Sequence, residues 1–443
     1  MVWSRLLSRP SCERSRTLTE VPFSSPRMKD TLSQRTRRVI ASPTQRVTQD
    51  AAELRRQGID VVDLGAGEPD FLTPSHINAA GIAAITEGFT KYTANAGIPE
   101  LREAICARYA EAYGITSTPA STIVSAGGKQ ALFNVAMALL DPGDEVITHA
   151  PCWPTIVDQV RLVGASPVIA RTHSEDGFAV HAGPILEAVT AQTKAIVINS
   201  PGNPTGGLIS ESELATIAQE AARRGIWVVL DLCYEQLIYA DAPHNLPRVL
   251  SEIAPDSSVL VGTLSKSYAM TGWRCGWAVG PPRLIAACNN IQSHCTSNVS
   301  SISQRAGVVA LTSPQTCVTE MRDEYQSRRD TLLQWLSVEP RITCVRPAGA
   351  FYLFPDVSQL LSPDMLRTSS DLASALLRHA HVAVTPGEAF DAPGYVRISY
   401  AASRDRLREA VDRIERFIAD LDRGLIEERS SQDSVSRSDQ TPA

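Results

Sequence analysis

One lysine and one arginine near the middle of the chain have types and spacing that suit binding of an aldehyde and an anion. Lys266 follows an apolar, strand-like run, and Arg274 lies eight residues further on. A lysine attacks an aldehyde only when burial or nearby cations lower its pKa, and an arginine can bind a phosphate through two parallel hydrogen bonds. The pair suggests a compound with both groups, such as pyridoxal phosphate. The alternative is a solvated Lys and Arg beside a surface turn.

Polar segments also follow three predicted strands at the point where each strand ends. Asn199 to Gly206, Asp231 to Tyr234, and Thr263 to Lys266 occupy these places. Ligands of open α/β sheets bind beyond the carboxyl ends of the strands, so we expect the three segments to meet at one site. Each alone could be a helix cap or a turn. The strands are predicted from nearly continuous apolar runs, typical of strands buried on both faces, at 143–149, 194–199, 226–231 and 258–263.

A glycine pair before an apolar helix is a candidate phosphate site. Gly127 and Gly128 lead into the run 131–140, so backbone N–H groups at the start of that helix can bind an anion. A Gly-x-Gly-x-x-Gly motif between a strand and a helix is absent from the sequence, which argues against nicotinamide binding.

Composition limits the classes of protein to be considered. The 443 residues are 43% hydrophobic and 20% charged, as in globular enzymes with two or three domains. Helix-like and strand-like segments alternate, which predicts an α/β fold with a mostly parallel sheet. The net charge of -6 argues against nucleic acid as a partner. Apolar runs are all much shorter than the roughly 20 residues that cross a bilayer, so no membrane partner is expected.

The cysteines and the two ends of the chain carry further expectations. Nine cysteines are scattered without a Cys-x-x-Cys pair or a preceding secretory segment, so we expect reduced thiols and a cytoplasmic location. Histidine and cysteine spacing predicts no metal site. The Arg-rich residues 1–31 and the polar residues 424–443 lack apolar periodicity and are predicted to be disordered tails.

Several motifs together resemble the class I aminotransferases, which are fold type I enzymes dependent on pyridoxal phosphate. The sequence is most similar to their bacterial aspartate/prephenate branch. The resemblance implies a large cofactor-binding domain, 76–320, with a mostly parallel central sheet. A smaller α/β domain would combine 32–75 with 321–423. The motifs lie at 66–71, 91–92, 96–102, 127–130, 203–206, 263–274 and 396–400.

Helices and strands outside the central sheet are also predicted. Helical periodicity favours helices at 185–191 and 210–224 and an amphipathic terminal helix at 404–421. The smaller domain should take its strands from the runs 345–356 and 382–399.

The resemblance implies roles around the cofactor ring. Lys266 would bind the cofactor covalently and then move a proton of the substrate. Asp231 would pair with the pyridine nitrogen and keep it protonated, which makes the ring withdraw electrons. Asn203 and Tyr234 would hydrogen-bond the phenolic oxygen, and Trp153 would stack on the ring.

The resemblance also implies how the phosphate is bound. The backbone of Gly127 and Gly128, the hydroxyl of Thr263 and the guanidinium of Arg274 would contact it. Thr263 stands where serine or glycine is usual, and its hydroxyl preserves the contact. Tyr92 would reach the phosphate of the neighbouring subunit, which implies a homodimer with shared active sites.

The resemblance implies substrate contacts as well. Arg397 would clamp the α-carboxylate, helped by the backbone of Gly67, because a carboxylate suits a bidentate partner. The alternative for Arg397 is a structural ion pair on a half-buried strand. Trp153 and Asn203 would also border the substrate.

Lys129 matches a lysine that reads the distal carboxylate of acidic substrates in this branch. The alternative is a lysine that only begins a helix. The branch commonly has a basic residue just before a Pro-Ser-Ala-Thr loop, whereas this chain reads Val-Ile-Ala-Ser-Pro-Thr-Gln-Arg at 39–46, which weakens the expectation of aspartate specificity.

The function implied is transfer of an amino group from an L-amino acid, with aspartate and glutamate as candidate donors, to a 2-oxo acid. The alternative is another reaction of the same cofactor and scaffold: β-elimination, decarboxylation or cyclisation. A transcriptional regulator built on such a module would need a DNA-binding head, for which the residues before the module are too few.

Overall fold

The computed structural model of the protein describes residues 32–37, 39, 43–239 and 244–426. The tail predicted at 1–31 lies outside the described residues, as does all but the start of the tail predicted at 424–443. The α-helices are α1 (Pro43–Arg56), α2 (Ser75–Thr86), α3 (Pro99–Tyr113), α4 (Gly128–Leu139), α5 (Pro154–Leu162), α6 (Ala182–Glu187), α7 (Glu211–Arg224), α8 (Leu246–Ile253), α9 (Pro282–Cys295), α10 (Ser301–Thr312), α11 (Thr316–Leu336), α12 (Ser369–Ala375) and α13 (Arg404–Asp422).

The strands form one large sheet and two small ones. They are β1 (Val62–Asp63), β2 (Thr122–Ser125), β3 (Glu145–Ala150), β4 (Ser166–Arg171), β5 (Thr193–Asn199), β6 (Trp227–Asp231), β7 (Ser258–Thr263), β8 (Gly276–Val279), β9 (Tyr352–Leu353), β10 (Val382–Ala383), β11 (Thr385–Pro386) and β12 (Val396–Ser399). The large sheet has the order β2-β8-β7-β6-β5-β3-β4, and β8 alone runs antiparallel to its neighbours. The predicted mostly parallel sheet is confirmed, and its strands β3, β5, β6 and β7 end at one edge.

Both faces of the large sheet are buried, as the continuous apolar runs predicted. In β5, Ile196 and Ile198 pack into the hydrophobic cluster on one face, while Ala195 and Val197 pack into the cluster on the other. Side chains alternate between the faces of a strand, so a strand that is covered on both sides must be apolar throughout.

A second hydrophobic cluster lies around the two small sheets. β9, β12 and β11 form an antiparallel sheet, β1 pairs in parallel with β10, and α13 packs its apolar face into the same cluster. The cluster draws on the segments predicted for the smaller domain, whose boundaries stay a prediction.

Two predicted elements differ in extent from the structure. Within the run 345–356, only Tyr352–Leu353 is a strand. Pro347 and Pro355 lack the N–H that a ladder needs, which explains its shortness. The helix predicted at 185–191 is Ala182–Glu187 instead, because Thr190 begins a turn in which its N–H donates to Thr193 Oγ1 at 2.9 Å. Within the described residues, every helix is too short or too polar to cross a membrane.

Candidate active site

A cavity of about 620 Å³ opens at the sheet edge where β5, β6 and β7 end. That volume is typical of small-molecule sites. The structure brings most of the predicted site residues to its wall: Gly67, Gly128, Lys129, Trp153, Asn203, Asp231, Tyr234, Thr263, Lys266, Arg274 and Arg397. Gly127 and Tyr92 are not among the residues that line it.

The amine of Lys266 is held in this cavity just beyond β7. Its Nζ donates to the carbonyl oxygen of Gly67 at 2.6 Å. Burial lowers the pKa of Lys266, and Arg397 and Arg274 add to the shift, whereas Cys233 and Glu68 oppose it. A buried amine with a lowered pKa has the neutral, nucleophilic form more readily available, as imine chemistry requires.

Asp231, the last residue of β6, is a buried carboxylate without a cationic partner among the described residues. It is 3% exposed, and its Oδ1 accepts the N–H of Cys233 at 3.1 Å. Burial raises its pKa to about 7, and the bond from Cys233 only partly opposes that shift. Because a buried charge needs a partner, this position suits a ligand that presents a cation or an N–H group.

An anion site lies where α4 begins. Gly127 precedes the helix with φ 84°, a left-handed conformation that favours glycine. A Cβ at this position would lie 2.6 Å from Arg274 Nη2, so a side chain would collide with the guanidinium. Arg274 itself is held by the carbonyl oxygens of Thr271 (2.9 Å) and Ala126 (3.2 Å).

The two glycines contribute differently from the prediction. The N–H of Gly127 donates to Ser125 O at 2.7 Å, so it is already engaged within the chain. Gly128 and Lys129 open α4, and the first N–H groups of a helix have no partner inside it. These two N–H groups therefore provide the positive end of the helix for an anion.

Thr263 ends β7 with its hydroxyl turned toward the neighbouring β8 side of the sheet. Its Oγ1 donates to Cys275 O and accepts the N–H of Ser265, each at 3.1 Å. The hydroxyl of Ser265 lies 2.9 Å from Thr263 Oγ1, and Ser265 also lines the cavity. Ser265 belongs to a polar segment that was predicted to reach the site, but it was assigned no role because only Thr263, two residues earlier, matched the family motif.

Arg397 lies on β12 and reaches the cavity from the second hydrophobic cluster. It is 2% exposed, and it donates to Asn203 Oδ1 (3.0 Å) and Gly65 O (2.7 Å). Its guanidinium lies 4.4 Å from the ring centre of Tyr352. Among the described residues it has no carboxylate partner, and its Nε has no hydrogen-bond partner. A buried, unpaired cation fits a clamp for an external carboxylate and disfavours the structural ion pair.

Tyr352 is a site residue that sequence reasoning missed. Its hydroxyl lies 2.9 Å from that of Tyr234, and both side chains are buried in the cavity wall. A Cβ at Gly67 would lie 3.2 Å from the Tyr352 hydroxyl, so glycine allows this close approach. Tyr352 falls in the apolar run 345–356, where nothing local distinguishes it from core aromatics.

Lys129 and Trp153 form a pair at the side of the cavity. Lys129 Nζ lies 4.9 Å from the ring centre of Trp153, within the range of a cation–π contact. Burial lowers the pKa of Lys129, and the positive charge of Arg274 adds to this. Thr48 and Gln49 of α1 also line the cavity, and neither was singled out from the sequence.

Comparisons with known proteins agree with this arrangement. The family described as "Aminotransferase class I and II" matches residues 59–414. The chain is 42% identical over 396 residues to the probable aspartate/prephenate aminotransferase of Aquifex aeolicus, which covers 89% of this chain and 100% of that protein. It is also 42% identical over 387 residues to an aspartate aminotransferase of Geobacillus stearothermophilus, with 87% and 98% covered.

Solved structures give the same answer. The aspartate aminotransferase from Thermus thermophilus with maleate superimposes with a TM-score of 0.82 at 41% identity, covering 87% of this chain and 99% of that one. An aspartate aminotransferase from Rhizobium meliloti gives 0.83 at 38% identity, covering 88% and 98%. The chain therefore belongs to the class I and II aminotransferases of fold type I, and it is an enzyme that transfers amino groups.

Proposed function

We propose that the enzyme uses pyridoxal phosphate to move the amino group of an L-amino acid, with aspartate and glutamate as the preferred donors, to a 2-oxo acid. The observation that carries this is the placement of the Lys266 amine in one cavity with the anion site at the start of α4 and with the carboxylate of Asp231, which has no cationic partner in the described part of the chain. These three groups match an aldehyde, a pyridine nitrogen and a phosphate.

The residues present fit the cofactor. Pyridoxal phosphate, when bound, supplies an aldehyde and a protonated ring that withdraws electrons from the substrate. Asp231 would hold the ring nitrogen, and a protonated nitrogen would provide the cation that this carboxylate lacks. Asn203 and Tyr234 would bind the phenolic oxygen, and Trp153 would cover a face of the ring. The phosphate would lie between the side chains of Thr263 and Arg274 and the start of α4, whose first residue is Gly128.

The protein's own groups position the substrate and move its proton. Arg397 would bind the α-carboxylate through its two η nitrogens. Both nitrogens donate to neutral oxygens in the structure, so the positive charge of the guanidinium is left for the substrate. Lys266 Nζ, once free as a neutral amine, would take the proton from the substrate α-carbon. The carbonyl of Gly67 holds that nitrogen in place in the resting enzyme.

Single-turnover spectroscopy tests the reaction. One equivalent of aspartate or glutamate, added to enzyme loaded with pyridoxal phosphate, should convert the cofactor to its amine form and release one equivalent of 2-oxo acid. Release of ammonia with pyruvate from a β-substituted donor, without formation of the amine form, would instead establish an elimination enzyme.

Removal of the Asp231 charge should stabilise the cofactor-free protein while it damages catalysis. The pKa of Asp231 is about 7 in the folded protein, above its ordinary value of 3.8. From about pH 4 to 7 the unfolded chain has lost this proton and the folded protein still holds it, so stability falls as the pH rises. At pH 8 we expect Asp231→Asn to raise the free energy of unfolding of the apoenzyme by about 3 kcal/mol. We expect the loaded variant to lose about 10²-fold in kcat. Urea denaturation at pH 5 and pH 8 measures the first effect.

Glu235 provides the matched control for this prediction. Burial raises its pKa to about 7 as well, and its carboxylate accepts from Tyr113 Oη at 2.8 Å, outside the cavity wall. Glu235→Gln should therefore also reduce the pH dependence of apoenzyme stability, with little effect on the kcat of the loaded enzyme. A loss in kcat equal to that of Asp231→Asn would count against the pairing of Asp231 with the cofactor ring.

Lys129 is proposed to select donors with a second carboxylate. Lys129→Met keeps the length of the side chain and removes its charge. It should lower kcat/KM for aspartate and glutamate by about 10- to 100-fold, the range for a hydrogen bond to a charged group. Donors with one carboxylate, such as alanine and leucine, should keep their values because they lack the group that Lys129 binds. An equal loss for every donor would show that Lys129 only shapes the cofactor site.

We further propose a homodimer located in the cytoplasm. Tyr92 is 91% exposed and Leu72 is 89% exposed, so both side chains are free to contact a neighbouring subunit. Tyr92 is predicted to complete the phosphate site of a neighbouring subunit. Sedimentation velocity of the full chain tests the association, and a monomer at micromolar concentration would contradict it.

A further inference from the structure

His149 is a buried histidine to which the proposed reaction gives no role. It lies in β3, one residue before the strand ends, and is 4% exposed. It is four residues ahead of Trp153 in the chain. Many buried histidines only satisfy hydrogen bonds of the core. Whether His149 contributes to the active site therefore depends on where it lies relative to that site.

The imidazole stands where two central strands separate. The ladder between β3 and β5 ends at the pair Thr148 and Val197, two residues before Asn199. Beyond it β3 continues with β4, and Ala150 O accepts the N–H of Thr172 at 2.8 Å. The N–H of Asn199 donates instead to His149 Nε2 at 3.3 Å. The side chain of His149 thus replaces the backbone carbonyl that the diverging strand no longer supplies.

This hydrogen bond requires a neutral ring. A nitrogen that accepts an N–H carries no proton of its own, so Nε2 is the unprotonated nitrogen of His149. Burial lowers the pKa of His149 to about 4, although a hydrogen bond with the backbone of Pro151 opposes the shift. The acceptor is therefore present throughout the range of pH in which an enzyme normally works.

Asn199 in turn hydrogen-bonds two residues of the proposed ring site. Its Nδ2 donates to Asp231 O at 3.3 Å, and its Oδ1 accepts the N–H of Asn203 at 2.9 Å. Asn203 in turn accepts from Arg397 Nη1 at 3.0 Å. Asn199 is 2% exposed, so no solvent can take over these bonds if it shifts.

We propose that His149 is a positioning residue for the cofactor ring. Through Asn199 it fixes Asn203 and Asp231, which would bind the edge of the ring, relative to the segment of β3 that leads to Trp153, which would cover its face. The inference rests on the proposed use of pyridoxal phosphate and assigns His149 no contact with the cofactor.

A pair of side chains of nearly equal shape tests this role. His149→Gln can place an amide oxygen near the position of Nε2 and keep an acceptor for the N–H of Asn199. His149→Met fills similar space without that acceptor. We expect His149→Met to weaken binding of pyridoxal phosphate to the apoenzyme by about tenfold, as the loss of one buried hydrogen bond implies, and His149→Gln to stay near the wild type. Fluorescence or equilibrium dialysis of apoenzyme with added pyridoxal phosphate measures both.

The spectrum of the bound cofactor separates positioning from simple stability. Its absorption maximum and the pH midpoint of its colour change depend on the groups at the ring edge, so both should shift in His149→Met and return in His149→Gln. Equal affinities and spectra in the two variants would overturn the proposal. A wild-type enzyme that binds no pyridoxal phosphate would instead overturn the proposed function.

A measurement on the wild-type protein covers the case in which His149→Met does not fold. In protein labelled with ¹⁵N at histidine, the Nε2 signal of His149, assigned with His149→Gln, should be that of an unprotonated nitrogen at pH 7. A protonated Nε2 would mean that it cannot accept the Asn199 N–H, and the inference would fail.

Discussion

Replacement of Lys266 by alanine should abolish amino transfer, with kcat reduced by about 10⁴-fold or more. The side chain would act both as the covalent anchor of the cofactor and as the base that moves the substrate proton, and a positioned base alone contributes up to about 10⁴-fold. Borohydride reduction of the loaded enzyme, followed by peptide mass spectrometry, should place the label on Lys266 in the wild type and nowhere in Lys266→Ala.

Lys129 is the matched control, because it is the other lysine in the cavity wall formed by the described residues. Lys129→Met should still be labelled at Lys266. Labelling at Lys129, or at an amine elsewhere in the wild-type chain, would refute the assigned anchor and with it the geometry proposed for the site.

Replacement of Arg397 should give the second largest loss, and one that depends on the substrate. Arg397→Met removes a buried guanidinium that would pair with the α-carboxylate, a change that costs about 2–5 kcal/mol in comparable charge pairs. We expect kcat/KM for amino acids to fall by about 10²- to 10³-fold. Arg397→Lys should recover little, because an ammonium cannot offer the two parallel donors. Amines that lack a carboxylate, assayed in parallel, should react at unchanged rates.

Arg328 distinguishes loss of recognition from loss of structure. It is also a buried arginine, but it already pairs with Asp70, with Nη1 at 2.8 Å from each carboxylate oxygen, and it lies outside the cavity wall. Arg328→Met should therefore lower the Tm with little change in the preference for amino acids over amines. If Arg397→Met reduced turnover of amines and amino acids alike, the proposed clamp would be wrong.

The central sheet and the residues at its edge could be predicted because strands buried on both faces leave an unmistakable apolar run. A polar residue such as Asp231 at the end of such a run interrupts the pattern and marks the ligand side of the sheet. Lys266 was identifiable for the same reason. The roles assigned to these residues came from a family resemblance.

Tyr352 and the contact between His149 and Asn199 could not be identified in the same way. Their importance depends on which distant segments meet: Tyr352 lies more than a hundred residues from Tyr234, and Asn199 is fifty residues from His149. Periodicity reports which face of an element is buried, and it carries no information about the partner across the fold. The hydrogen bond from the N–H of Gly127 to Ser125 O could not be predicted either, since a pair of glycines in the sequence does not reveal the conformation of its backbone.

The buried carboxylate of Asp231, which has no cationic partner among the described residues, has a consequence for the lifetime of the enzyme. Chains that have not yet bound the proposed cofactor hold an unfavourable buried charge near neutral pH, so they should open more often and be degraded sooner than loaded chains. Scarcity of that cofactor would then reduce the amount of enzyme as well as the fraction that is active.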